Sequence, residues 1–282
     1  MTSAELNNAL NIAEKAARRG GRVARERLGK IGYFKWKGLR DVMPEAALAV
    51  QSEICAELLA AFPNDAILAK EGPDDAPMPV DAPQLWIVDP ICGGMNYAQG
   101  IPWYAVSIAL RTEGDIKLGV VYDPSRDEMF SATTESPTML NGQRIFVQQI
   151  SEGQEAWSAS VIGTDWPHSG ERRDKTRMVV GLMLDQVNEL SLMGSPALGL
   201  CNVAAGRCHA YWHMDLSIWD VAAASVILAR SGGVLTDING NSWLHSDGGY
   251  IATNGVIHGW LLNCIQSVLQ FSATSETTLR NL

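Results

Sequence analysis

The stretch that most constrains the fold of this chain runs over residues 85–97. Four apolar residues lead directly into Asp89 and Pro90, which predicts a buried strand, and proline normally ends such a strand because it lacks a backbone N–H. Cys92 and two glycines follow, and a new element is predicted near Met95. A carboxylate at a strand end, a nearby thiol and backbone N–H groups at a helix start are typical of an active site. A tight strand-to-helix turn that needs its glycines explains the same residues equally well.

The remainder of the chain alternates between segments of helix and strand character. A capping box at the N-terminus predicts a first helix over about residues 3–28, and Pro44 is predicted to lie in the first turn of a second helix. Strands are predicted at 66–69, 85–89, 104–111, 116–122, 128–132, 159–163, 190–193, 209–213, 234–236 and 249–252, and further helices at about 172–188, 196–206, 219–231 and 255–270. The alternation predicts a layered α/β fold with an N-terminal α+β half at 1–150, containing an antiparallel sheet, and a C-terminal α/β half at 151–282.

Composition excludes several classes of protein. The 282-residue chain carries a net charge of −9, which argues against general nucleic-acid binding because such binding depends on a basic surface. Hydrophobic residues make up 46%, yet no apolar run reaches the roughly 18 residues of a membrane-spanning helix. The N-terminus lacks the basic-then-apolar order of a signal peptide, so a cytoplasmic protein is expected. The five cysteines lack paired spacing, which argues against a disulfide framework or a structural zinc site.

Two motifs resemble the signatures of the inositol monophosphatase-like phosphatases. Residues 86–97 read Trp-Ile-Val-Asp-Pro-Ile-Cys-Gly-Gly-Met-Asn-Tyr, similar to the family pattern Trp-Ile-x-Asp-Pro-Ile-Asp-Gly-Thr-x-Asn-Phe, and residues 218–224 are similar to its Trp-Asp-x-Ala-Ala. Further similarity lies at 119–124, 127–130, 140–142 and 231–237, and the resemblance covers roughly residues 5–265. It implies a five-layer αβαβα sandwich, a homodimer, and hydrolysis of a small phosphate ester by water that carboxylate-bound magnesium ions activate.

The resemblance places several of the family's metal ligands on this sequence. Asp89 matches the bridging aspartate of the first signature, Asp220 matches the aspartate of the second, and Glu71 matches the second glutamate of a Gly-Glu-Glu motif. The main-chain carbonyl of Ile91 is a fourth candidate ligand. Carboxylates suit this role because magnesium prefers hard oxygen ligands.

Other family positions differ in this chain. Lys70 stands where the family has the first glutamate of Gly-Glu-Glu, and Cys92 stands where it has the second aspartate of the first signature. Gly94 replaces a threonine, and an upstream Asp-x-Val-Thr-x-x-Asp segment has Pro44 and Ala47 in place of its threonine and its last aspartate. The metal-binding part of the family pattern is therefore incomplete here.

Four residues are candidates for substrate binding. A family glutamate that contacts sugar hydroxyls aligns with His213, although the nearby Asp215 is an alternative. The simpler interpretation is that His213 is a core or rim histidine whose hydrogen bonds are made within the protein. The amides of Gly93 and Gly94 are candidates for stabilising a developing oxyanion.

Lys70 decides the prediction about cofactors. An ammonium group cannot ligate magnesium, and two unit charges about 4 Å apart interact by roughly 4 kcal/mol at an effective dielectric near 20. We therefore expect the paired metal site to be lost and no cofactor to be needed. A single weak magnesium ion on Asp89 and Asp220 is the alternative. A further interpretation is that Lys70 only neutralises the charge of carboxylates that no longer bind a metal.

The same changes favour a covalent hypothesis. Beside a cation and at a helix start, Cys92 would ionise readily and act as nucleophile on an amide- or ester-like small molecule. Lys70 would transfer the proton, Glu71 or Asp89 would act as general base, and Asp220 would share the cleft. Two structural alternatives stay open. Cys92 is then an unreactive side chain that only fills the space of the family's aspartate, and both aspartates are helix-capping residues. Two other functions stay open: a magnesium-dependent phosphatase of a small phosphate ester, and a catalytically inactive binding or regulatory protein.

Overall fold

A computed structural model describes residues 1–29, 34–72, 79, 81–150, 156–245 and 248–280, and it describes side chains as far as residue 271. The helices are α1 (Ser3–Arg27), α2 (Ala46–Ala61), α3 (Gly94–Ala98), α4 (Gly170–Met183), α5 (Pro196–Ala204), α6 (Ile218–Arg230) and α7 (His258–Arg280). The strands are β1 (Phe34–Gly38), β2 (Asp41–Pro44), β3 (Ala66–Ala69), β4 (Gln84–Cys92), β5 (Ala105–Thr112), β6 (Asp115–Asp123), β7 (Glu128–Thr133), β8 (Met139–Leu140), β9 (Gln143–Arg144), β10 (Val161–Thr164), β11 (Glu189–Leu192), β12 (Ala210–Leu216), β13 (Val234–Asp237) and β14 (Gly248–Thr253).

The larger sheet has seven strands in the order β3-β4-β5-β6-β7-β8-β9, and all neighbours are antiparallel except the parallel pair β3 and β4. Side chains of a strand point alternately to its two faces. Trp86 of β4 accordingly packs in a core with α1 and α2, whereas the adjacent Ile87 packs in a core with α5 and α6. Helix α6 lies very close to β6, because a Cβ on Gly119 would stand 2.0 Å from the Ala223 carbonyl oxygen.

The smaller sheet has the order β11-β10-β12-β14-β13, in which β10 is parallel to both its neighbours and β14 is antiparallel to both of its own. Tyr211 of β12 packs in the core shared with α5 and α6, and the adjacent Trp212 packs against α4 and α7. The layers are therefore α1 and α2, the larger sheet, α5 and α6, the smaller sheet, and α4 and α7. The predicted αβαβα sandwich is confirmed.

Two sequence predictions about prolines are wrong. Pro44 does not open α2; it is the last residue of β2, and the helix begins at Ala46. Pro90 does not end its strand, because β4 continues to Cys92 through an irregularity in its pairing with β5 after Asp89. A proline fits at such a bulge because the ladder needs no N–H from the unpaired residue. The bulge is also what aims the Asp89 region out of the regular sheet.

The predicted division of the chain at residue 150 stays a prediction. The larger sheet ends at Arg144 and the smaller one begins at Val161, yet α5 and α6 share one apolar core with both sheets. Within the described residues, no helix combines the length and the apolar character needed to cross a bilayer.

Candidate active site

The candidate site lies where three elements end or begin. Strands β3 and β4 run parallel, so Lys70, which follows β3, comes to lie beside Asp89 near the end of β4. The Lys70 N–H donates to the Val88 carbonyl at 3.0 Å and so extends the pairing of the two strands. Asp220 comes from the first turn of α6, where its Oδ2 accepts from the Ser217 N–H at 3.0 Å. The structure thus brings together Lys70, Asp89 and Asp220, although Lys70 and Asp220 are 150 positions apart in the sequence.

Lys70 lies between two carboxylates. Its Nζ is 2.8 Å from Asp89 Oδ2 and 3.4 Å from Asp220 Oδ1. The second oxygen of Asp89, which is fully buried, accepts from the Ile91 N–H at 3.1 Å. Burial lowers the pKa of Lys70, but attraction by Asp89 and Asp220 outweighs burial and raises that pKa well above its usual range. The ammonium therefore keeps its proton. We call Lys70, Asp89 and Asp220 the floor of the site.

The floor carries more negative than positive charge when both of its carboxylates are ionised, because one ammonium then faces two carboxylates. Burial raises the pKa of Asp89 to about 7, Lys70 opposes that rise, and the charge on Asp220 adds to it. A further cation near the two carboxylates would therefore be attracted, provided that Lys70 makes room for it.

Glu71 lies next to the floor in sequence but pairs with a different cation. Its buried carboxylate has Oε2 3.1 Å from the Nζ of Lys37, which belongs to β1. Gln51 of α2 fixes the Glu71 backbone, accepting from its N–H at 3.0 Å and donating to its carbonyl. Glu71 is therefore half of a separate ion pair at the edge of the floor.

Cys92 lies close to the floor but behind it. Its sulfur and the nearest oxygens of Asp89 and Asp220 all lie within 4.8 Å of one another. The side chain is fully buried in the core, and its sulfur accepts from the Ala197 N–H at 3.3 Å. Burial, together with the charges of Asp89 and Asp220, raises the pKa of the thiol far above its ordinary value, although Lys70 opposes the shift. Cys92 is therefore a protonated thiol at neutral pH.

Gly93 and Gly94 connect the floor to α3. Gly93 has a φ of 106°, and a Cβ there would lie 3.0 Å from the carbonyl oxygens of Trp103 and Gly194. Only glycine fits this left-handed and crowded position without strain. Since α3 has only five residues, it supplies little of the helix dipole that the sequence analysis assigned to Cys92.

His213 and Asp215 lie on the opposite wall, at the end of β12. Burial lowers the pKa of His213 to about 4, so its imidazole is neutral at pH 7, and its Nδ1 accepts from the Asp215 N–H at 2.9 Å. Asp215 forms an ion pair with Arg172 of α4 at 2.5 Å. Both residues are therefore held by contacts within the protein.

A cavity of about 760 Å³ joins these groups. It is lined by most of the sequence-predicted residues, namely Lys70, Glu71, Ile91, Gly93, Gly94, His213, Asp215 and Asp220. Asp89 and Cys92 lie behind its surface and are fully buried. The structure therefore brings the predicted carboxylates, lysine and thiol together, with Asp89 and Cys92 behind the surface of the cavity.

Sequence reasoning missed five charged residues that line the same cavity: Lys37, Arg40, Asp41, Asp165 and Arg173. Asp165 directly follows β10, and its carboxylate accepts from the N–H groups of Met193 and Gly194 at 2.7 and 2.5 Å. A carboxylate directly after a strand is the signal that singled out Asp89, so Asp165 was detectable in the same way. The two arginines lie in segments without a motif.

Comparison with known proteins identifies the family. A sequence profile of the Inositol monophosphatase family matches residues 5–270. The chain belongs to the inositol monophosphatase family. An inositol-1-monophosphatase of Mesorhizobium japonicum is 33% identical over 263 residues, which are 92% of this chain and 97% of that relative. A Nus factor SuhB of Pseudomonas aeruginosa is 33% identical over 263 residues, 91% of this chain and 95% of that relative. The structure of a Thermotoga maritima IMPase matches with a TM-score of 0.84 at 28% identity, covering 93% of this chain and 98% of that chain.

Family membership corrects two predictions from the sequence. The predicted Cys92-dependent hydrolase of amides or esters is wrong, because the matching family is one of phosphatases, and relatives covering nearly the whole chain are named inositol-1-monophosphatase. The physical reason is that the charge of Lys70 is taken up by Asp89 and Asp220 while burial keeps the thiol protonated. The expectation that no cofactor is needed is also wrong, since the chemistry that this family implies depends on magnesium.

Proposed function

We propose that this chain hydrolyses a small phosphate monoester in a magnesium-dependent reaction, with a metal site reduced relative to the family pattern. One observation supports the proposal most strongly. In a chain of this family, the Asp89 and Asp220 carboxylates lie close together at the base of a cavity. The reduction follows from Lys70 and Cys92, which stand where the resemblance implies carboxylate ligands.

The donor chemistry of the floor fits one magnesium ion rather than several. Magnesium is commonly held by one or two carboxylates and completes its shell with water and substrate phosphate oxygens. Asp89 and Asp220 supply the carboxylates, and Ile91 lines the same cavity with its carbonyl available as a further ligand. Cys92 is a protonated thiol and Lys70 an ammonium, so neither ligates a hard cation. Lys70 has to move off the carboxylates for an ion to bind.

Magnesium held there supplies Lewis-acid polarisation of the phosphate and an activated water. The residues of the chain supply the remainder. Lys70, once displaced from both carboxylates, would offer its positive charge to the phosphate and replace part of the charge that a second ion would bring. Gly93 and Gly94 line the same surface without side chains and so leave room for a phosphate group. Neutral His213 offers the rest of the substrate a hydrogen bond and no charge.

The test is phosphate release from inositol 1-phosphate by purified protein that a chelator has stripped of metal. We expect no release after stripping and full recovery when magnesium is added. As controls, Asp89→Asn should remain inactive at any magnesium concentration, whereas Asp185→Asn, an exposed change of the same chemistry, should behave like the wild type. Release that is equal with and without chelator would contradict the proposal. No release under any condition would favour the inactive binding protein instead.

We propose in addition that the chain forms a homodimer, as the family resemblance implies, and that it works in the cytoplasm. Light scattering on the purified protein should give about twice the 30.6 kDa mass of one chain. A mass of one chain at micromolar concentration would contradict the dimer.

A further inference from the structure

Within the part of the chain that the structure describes, the charged side chains lining the cavity have a polar side-chain partner, with two exceptions that donate only to backbone carbonyls. Four acidic groups lie beside cationic or ionisable groups: Asp41 beside His168 at 4.0 Å, Glu71 beside Lys37 at 3.1 Å, Asp215 beside Arg172 at 2.5 Å, and Asp220 beside Lys70 at 3.4 Å. Asp165 accepts from two backbone N–H groups and from the Tyr211 hydroxyl. The exceptions are Arg40 and Arg173. No carboxylate oxygen of a described residue lies within 4.0 Å of either guanidinium.

Both guanidinium groups bind the same short segment. Arg40 Nη1 donates to the His168 carbonyl at 3.0 Å, and Arg173 Nη1 donates to the Pro167 carbonyl at 3.2 Å. Arg173 also lies over the ring of Trp166, 5.3 Å from its centroid. The two carbonyls belong to consecutive residues, and both arginines line the same cavity. We call Arg40, Arg173 and residues 166–168 the mouth of the cavity.

Both guanidinium groups have N–H donors beyond those that the carbonyls use. Each guanidinium has five N–H donors, of which a single carbonyl uses one. Arg40 has a φ of 70° because it lies in the tight turn between β1 and β2, and Glu113, Asp127 and Asn141 have positive φ in other turns between strands. The mouth therefore presents two positioned cations with spare donors to whatever enters the cavity.

We propose that Arg40 and Arg173 form a second anion subsite and that the substrate is a phosphate monoester carrying another anionic group, phosphate or carboxylate, at its far end. The inference rests on the proposed function, which places the reacting phosphate at the floor. The guanidinium fork matches the oxygens of both kinds of anion. A cavity of about 760 Å³ that holds both floor and mouth is large enough for one small molecule to reach both.

The experiment compares three substrates under saturating magnesium: glucose 6-phosphate, 6-phosphogluconate and glucose 1,6-bisphosphate. We expect kcat/KM to be about 10- to 100-fold higher for at least one of the two compounds that carry a second anionic group, the range that hydrogen bonds to charged groups supply. Whichever is preferred identifies the second group as phosphate or carboxylate. Equal kcat/KM for all three compounds would overturn the inference and leave the proposed phosphatase intact.

Variants locate the preference. Arg40→Gln and Arg173→Gln should each reduce the ratio of kcat/KM between the preferred compound and glucose 6-phosphate by about tenfold or more. Arg177→Gln, which removes the same charge from an exposed position one turn further along α4, should leave that ratio unchanged. A ratio that both mouth variants preserve would overturn the assignment. If no compound is hydrolysed, the proposed function fails, and calorimetric binding of glucose 1,6-bisphosphate to the wild type and to Arg173→Gln decides the subsite separately.

Discussion

The floor and the mouth of the cavity hold their charges in opposite ways. At the floor, Lys70 is bound to two carboxylates from different elements, and the Asp89 oxygens have no contact with solvent. At the mouth, Arg40 and Arg173 donate only to backbone carbonyls and have no acidic partner among the described residues. The floor must therefore rearrange to accept a cation, whereas the mouth is ready to accept an anion. Under the two proposals, the reacting phosphate binds at the floor and the substrate is selected at the mouth, and these two regions differ in electrostatic state.

The largest expected effect is at the floor. Asp89→Asn should lower kcat/KM for a phosphate monoester by about a thousandfold, about 4 kcal/mol of transition-state stabilisation, because it removes a carboxylate from the only ligand pair that the floor offers magnesium. Steady-state kinetics at several magnesium concentrations measure this. Activity within about tenfold of the wild type would remove the distinction between floor and mouth.

A charge reversal at Lys70 sharpens the comparison. Lys70→Glu replaces a competing ammonium with a carboxylate, so the magnesium concentration for half-maximal activity should fall by about 100-fold. Lys70→Met, which keeps the length and removes the charge, should lower it by about tenfold. The two titrations are run side by side on phosphate release. A higher magnesium requirement in both variants would show that Lys70 helps the ion to bind and would contradict the account.

The backbone that connects the floor to α3 tolerates little change at Gly93. Gly93→Ala forces a Cβ to within 3.0 Å of two carbonyl oxygens at a left-handed φ, so it should lower the free energy of unfolding by about 2 kcal/mol. Gly181→Ala, in α4 where nothing lies within 4 Å, should be neutral or raise it by about 0.5 kcal/mol. Urea denaturation of both variants measures the difference. Equal stabilities would contradict the packing described for Gly93.

The smallest expected effect is at Cys92, behind the floor. Cys92→Ser should change kcat/KM by no more than about threefold, which is less than about 1 kcal/mol. Iodoacetamide followed by mass spectrometry should label the half-buried Cys55 and Cys264 before the fully buried Cys92. Fast labelling of Cys92 in step with loss of activity would contradict its assignment as a protonated core thiol.

Much of the fold and most of the floor could be predicted from the sequence, but by two different routes. Apolar runs locate β4 and β6. The sandwich and the grouping of Lys70 with both aspartates follow from the resemblance of the two signatures to the family. The continuation of β4 through Pro90 did not follow, because a bulge depends on pairing with β5.

The reactivity of Cys92 and the role of the mouth could not be predicted for a different reason. Sequence order places a cation near Cys92 but does not show that two carboxylates already bind that cation or that the sulfur is buried. Arg40 and Arg173 are 133 residues apart by their numbers and meet only because both contact residues 167 and 168. For Cys92 and for the mouth alike, the missing information was which charged groups pair with each other in the folded chain.

The most direct test of the account is a crystal of the protein soaked in manganese, which substitutes for magnesium and gives an anomalous signal. The account predicts one anomalous peak, ligated by Asp89 and Asp220, with the Lys70 ammonium displaced from both carboxylates. A crystal of active enzyme with no peak at that position, and with Lys70 still bonded to Asp89 and Asp220, would contradict it.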